Sequence, residues 1–170
     1  MPHIPRETVA VTLDQPEEVP ASIAWARRRG INLVYDAATV TIRMVLDGPG
    51  IGDRSPREKY LVEGVLEDYD VVPPAWRFLD PRTDDVIGPA AYPQPVGNSV
   101  LHGQGVLCAP WNRLAYKIEG GPHEDWGPTT GWKTPRPGYT HAVTIPDMLD
   151  RIHREVQRSR GRMAPLPSRQ

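Results

Sequence analysis

Cys108 is the only cysteine in a chain of 170 residues, so no intramolecular disulfide is available and the thiol must be inert or reactive. A free thiol with its ordinary pKa near ~8.5 already supplies a few per cent thiolate at neutral pH, enough for a nucleophile or an acyl carrier. The residues before it, Gly103-Gln104-Gly105-Val106-Leu107, are small and flexible at one end, a bend able to present the sulfur at a surface groove. The opposing expectation is a buried, unreactive cysteine, because free cysteine behaves as a small hydrophobe.

Other groups extend the chemistry in three directions. Asn98, His102 and Asn112 lie close in sequence to Cys108 and carry hydrogen-bond donors. Cys108 with His102, His123 and His141, helped by Glu124 or Asp125, is a zinc-binding alternative, although the paired ligand spacing of structural zinc sites is missing. A papain-like Cys–His–Asn hydrolase is a further option, without that family's local sequence around its cysteine.

The elements that must position these groups follow from periodicity. Ser22 to Arg29 reads as a short helix with cations in its last turn and Gly30 as a left-handed cap. Strands are expected over 31–35, 40–46, 60–66 and 75–79, with Asp47-Gly48-Pro49-Gly50 as a turn, giving an antiparallel meander. Thr144-Ile145-Pro146-Asp147 opens a helix whose apolar stripe is Ile145, Met148, Leu149, Ile152 and Val156. Residues 80–97 and 120–140 read as long irregular segments, which in a compact domain tend to be functional.

Domain boundaries are expected at 1–20, an N-terminal arm or edge strand, at 21–158, a single domain, and at 159–170, a disordered basic tail. Twenty prolines place many rigid connections between the elements. A net charge of −1 provides no overall basic field for a nucleic-acid backbone, and the N-terminus has no apolar signal-peptide core. No stretch is long enough to span a membrane, so a cytoplasmic protein is expected.

Tyr69, Pro73, Pro74, Phe78, Gly105, Cys108, Trp132 and Thr144-Ile145 occur in an order that resembles ubiquitin-conjugating (E2) enzymes. Those enzymes carry a Tyr-Pro-x-x-Pro-Pro segment leading to a strand that ends in Phe, then Gly-x-x-Cys, then a tryptophan ahead of a Thr/Ile-led helix. The spacing of Tyr69, Pro73, Pro74 and Phe78 matches without gaps, as does Gly105 to Cys108. The likeness extends in topology over residues 20–158. It departs in four places: Asp70 stands where proline is usual, about a dozen extra residues separate Phe78 from Cys108, the region after Cys108 is longer than usual, and Val100 occupies the position of the asparagine in the absent His-Pro-Asn motif.

The resemblance implies an α+β, UBC-like fold and a divergent, prokaryotic E2-like protein of the kind encoded beside E1-like, ubiquitin-like and JAB-type protease genes, some in antiviral operons. Cys108 would accept a ubiquitin-like protein as a thioester from an E1-like enzyme and pass it to an amine. A JAB-type protease is a possible third partner, and no metal or small cofactor is implied. In place of the family's asparagine, His102 and Asn112 are the expected donors to the oxyanion, with His102 also able to steer or deprotonate the amine. Their plainer roles are a hydrogen-bonding histidine beside a turn and an asparagine capping the turn after Pro110-Trp111. A UBC-like module that binds partners without transferring anything is the alternative from a different class. Arg27, Arg28 and Arg29 then face either an activating enzyme or solvent.

Overall fold

The computed structural model describes residues 16–52 and 54–168. The chain begins with helix α1 (Glu18–Arg28), runs through four strands, β1 (Asn32–Asp36), β2 (Thr41–Gly48), β3 (Glu58–Val65) and β4 (Ala75–Leu79), and ends on helix α2 (Ile145–Arg158). The strands form one antiparallel sheet in the order β1-β2-β3-β4. Between β4 and α2 lies a short hairpin, β5 (Leu101–His102) and β6 (Val106–Leu107), with 3-10 turns around it. The fold is therefore α+β, as expected. The expected edge strand near Thr8–Leu13 lies outside the described residues.

Helix α1 starts four residues earlier than its sequence suggests. Its end follows the reading closely: Gly30 is left-handed at φ +65°, Ile31 N–H reaches Ala26 O, and Gly30 N–H reaches Arg27 O. These two bonds satisfy carbonyls that the helix end would otherwise orphan.

Register aligns the inner face of the sheet. Ile42 pairs with Gly64 and Gly64 with Trp76, while Met44, Val62 and Phe78 form the next row, and both rows are buried. Gly64 is dictated by space, since a Cβ there would lie 2.2 Å from the Trp76 ring. Helix α2 lays Met148, Leu149, Ile152 and Val156 onto this core. On the opposite face Arg43, Glu63 and Arg77 stand side by side across three strands. Glu63 is buried and bonded by both arginines.

The two helices are joined by side chains. Trp25 Nε1 and Arg29 both donate to Asp150 Oδ1, at 3.3 and 3.1 Å. Glu18 accepts from Tyr69 Oη at 2.8 Å and from the Ile145 N–H at the start of α2, and Thr144 Oγ1 caps the same helix through Asp147 N–H. Trp132 packs on Tyr69 and donates to Asp70 O. Tyr69 and the Ile145 helix start thus meet at Glu18, with Trp132 packed on the Tyr69 ring.

Residues 159–168 correct the expectation of a disordered tail. Arg162 is buried, stacks 4.4 Å from the Tyr60 ring, pairs with Glu58 at 2.8 Å and donates to the carbonyls of Lys59 and Ala91. Gln94 N–H and Met163 N–H tie this segment to the chain after β4. Arg-, Pro- and Ser-rich composition signals disorder only while the arginines are solvated. Here one guanidinium replaces its water with the Glu58 carboxylate and the carbonyls of Lys59 in β3 and Ala91 in the turn after β4.

Candidate active site

Cys108 follows directly on the β5–β6 hairpin. Gly105, left-handed at φ +77°, closes the three-residue turn, and a Cβ on it would lie 2.9 Å from Pro89, so glycine is required for conformation and for space. Cys108 N–H bonds Val100 O across the hairpin. Val100 is a buried apolar residue of the core, and with Asn98 and Ser99 it lines one side of a cleft of about 500 Å³. Cys108, His123, Tyr139 and Arg151 also line that cleft.

His123 enters from the segment after Gly120-Gly121. The Lys117–Glu119 turn ends on left-handed Gly120, and a Cβ on Gly121 would lie 2.2 Å from the Ala115 backbone. This close approach lets His123 N–H bond Ala115 O at 3.1 Å and Lys117 N–H bond His123 O at 3.0 Å. With its backbone held on both sides, His123 places Nε2 2.7 Å from Cys108 Sγ. Its Nδ1 faces Asp125 Oδ1 at 3.7 Å, and the Asp125 side chain is 77% exposed.

The imidazole is packed more firmly than it is bonded. The Trp126 indole lies parallel to it, with ring centroids 3.7 Å apart and planes within 6°. Tyr139 meets both rings edge-on, and Tyr116 meets Trp126 the same way. Burial lowers the His123 pKa below its ordinary value, against opposing effects from Asp125, with a last small lowering contribution from His102. Burial also pushes the Cys108 thiol up to about 11. Both shifts favour a neutral pair, thiol and imidazole, over a thiolate–imidazolium pair. In the neutral imidazole with Nε2 unprotonated, Nε2 accepts from the thiol, and His123 can take its proton as the sulfur reacts.

The two expected donors fare differently. Asn112 is wholly buried, its Oδ1 accepting from Trp76 N–H and Leu114 N–H and its Nδ2 donating to Trp76 O and Leu107 O. It has no N–H left for an oxyanion and acts as a clamp between β4, β6 and the 113–115 turn, a correction to its expected role. Its capping of Leu114 N–H is the turn function also read from sequence. His102 is half-buried on β5, its Nδ1 accepting from Gln104 N–H within the hairpin turn at 3.2 Å. It borders the Cys108–His123 pair without bonding either residue. Asn98 is among the residues that line the cleft.

The sequence offered His123 only as a zinc ligand. Among the described residues no group of three or more His, Cys, Asp or Glu side chains is placed to hold a metal ion. His141 lies instead in a separate groove with Trp25, Asp147 and Arg154. The signal for His123 was Gly120-Gly121-Pro122-His123, a tight return of the chain, but the partner it returns to is fixed by folding. No helix among the described residues is long and apolar enough to cross a membrane. Comparison of the chain with protein-family models, with curated proteins and with solved structures finds no match.

Proposed function

We propose that Cys108 is the acyl-carrying nucleophile of an E2-like protein with a UBC-like fold, and that His123 is its general base and acid. The observation that carries this reading is the 2.7 Å approach of His123 Nε2 to the sole thiol of the chain, inside an open cleft. The order helix, four-stranded meander, cysteine segment and helix, together with the meeting of Tyr69, Trp132 and the Thr144-Ile145 helix start, supports the E2-like assignment.

In the charging step the Cys108 sulfur attacks the thioester carbonyl of a ubiquitin-like protein carried on an E1-like enzyme, and His123 takes the thiol proton. The bond from the carbonyl carbon to the E1 sulfur then breaks, and that sulfur leaves with the proton returned by His123. In discharge an amine attacks the Cys108 thioester, its proton passes to His123, and the proton follows the departing Cys108 sulfur to restore the thiol. Asn98 is the carboxamide available to the developing oxyanion. A cysteine whose pKa stands at about 11 holds roughly one part in 10⁴ as thiolate at pH 7, so the adjacent base supplies what the isolated thiol lacks.

The test is incubation with an E1-like enzyme, its ubiquitin-like protein and ATP, followed by non-reducing electrophoresis. A thiol-sensitive adduct that disappears in Cys108→Ala is expected. No adduct, or one that survives that substitution, overturns the assignment. One observation favours a second reading: the Cys108–His123 pair followed by Asp125 is also the arrangement of a thiol hydrolase. Discharge to water at the same rate with and without added amine would select it. An adduct that discharges to neither would select the binding module.

A further inference from the structure

We propose that Trp126 is the positioning residue of this site: its indole face, rather than the Asp125 carboxylate, holds the His123 imidazole with Nε2 on the Cys108 sulfur. The proposal rests on the reading of Cys108 as a nucleophile. A Cys–His pair ordinarily has its imidazole oriented by a third polar group on the other ring nitrogen. Here that group is Asp125, 3.7 Å away, beyond a good hydrogen bond, and largely in solvent, where two contacting charges have many competing water partners.

The stack has the opposite character. Trp126 is buried, and its ring plane lies within 6° of the imidazole at a centroid distance of 3.7 Å, so rotation of His123 about its Cβ–Cγ bond would drive the ring into the indole. Tyr116 and Tyr139 brace Trp126 edge-on from two further segments, and Arg136 donates to Trp126 O. The indole Nε1 is buried without a hydrogen-bond partner among the described residues, so the indole acts through its face. That face also suits the imidazolium formed when His123 takes the thiol proton, since an aromatic ring attracts a cation lying over it.

The groups that face His123 are Cys108 and His102 from the hairpin, Asp125 from its own segment and Tyr139 from the segment before α2. Arg151 of α2 lines the same cleft. None of these lies flat against the ring as Trp126 does.

Because Cys108 is the only thiol, its alkylation by iodoacetamide reads the pair without any acyl donor, and the result stands whether or not the protein carries a ubiquitin-like partner. The pH–rate profile should show a neutral-pH limb governed by His123 and a rise toward the thiol pKa in alkali. Trp126→Leu is expected to lower the neutral limb at least tenfold while leaving the alkaline rise. Trp126→Phe, which keeps an aromatic face, and Asp125→Asn should each stay within about threefold of the parent. Folding of each variant is checked by circular dichroism. A neutral limb lost in Asp125→Asn, or lost in a folded Trp126→Phe, overturns the proposal even where Trp126→Leu does not fold. So does an unchanged profile in folded Trp126→Leu.

Discussion

Asn112 brackets the peptide of Trp76: Oδ1 accepts the Trp76 N–H at 2.9 Å and Nδ2 donates to Trp76 O at 3.1 Å. Both residues are fully buried, and the same Nδ2 reaches Leu107 O, one residue before the cysteine. The side chain therefore continues β4 as a strand partner would, and it couples the sheet to the hairpin that presents Cys108. Asn112→Ala leaves buried backbone groups of Trp76 and Leu107 unpaired and is expected to destabilise the fold by about 3–5 kcal/mol in urea denaturation. If Asn112 served the oxyanion instead, the variant would keep its stability and lose only its discharge rate.

His123→Ala removes the base while leaving the thiol. At pH 7 the Cys108 alkylation rate should fall by about 10²–10⁴-fold. His123 must be neutral to accept a proton, and burial holds its pKa below the ordinary 6.5, so the parent protein keeps its rate at neutral pH and loses it only as pH falls through that lowered value. The alanine variant should lose this limb and rise only toward about 11, where the thiol ionises by itself. A variant profile that retains the acid limb would show that another group governs it.

Truncation after Ser159, or Arg162→Ala, should lower the melting temperature, with a loss of about 2–4 kcal/mol in chemical denaturation. The guanidinium is 1% exposed, and its removal strands Glu58 and the carbonyls of Lys59 and Ala91 together. A free tail would make either change neutral.

Glu63→Gln tests the outward face of the sheet. Burial by itself would raise the Glu63 pKa, but bonds and charge from Arg77 and Arg43 outweigh it and hold the carboxyl below its ordinary 4.5. The sign follows from linkage: this contribution to stability is complete above the ordinary carboxylate pKa and is lost as pH falls through the lowered folded value. Both arginines are substantially exposed, so the expected cost at pH 7 is about 1–2 kcal/mol. The difference between parent and variant should shrink in acid, read as denaturation free energy against pH.

Much of this protein is a local property of its sequence. Alternation across Thr41 to Leu46, the Trp76–Phe78 strand and the stripe from Ile145 to Val156 each determine an element, because a strand or helix exposes a fixed face at a fixed period and that face must be buried. Gly30 determined where α1 stops, and Gly105 where the hairpin turns. Cys108 stood out by being alone. Folding decided what its sulfur meets: His123 is fifteen residues away with no periodicity linking them, and it arrives because Gly121 lets its chain lie against Ala115. Burial then decided what those groups do. It took Asn112, polar and near the cysteine, entirely into backbone bonds, set His123 against Trp126, and drew Arg162 out of an apparently solvated tail, since a polar group removed from water takes whichever partners the packed chain offers.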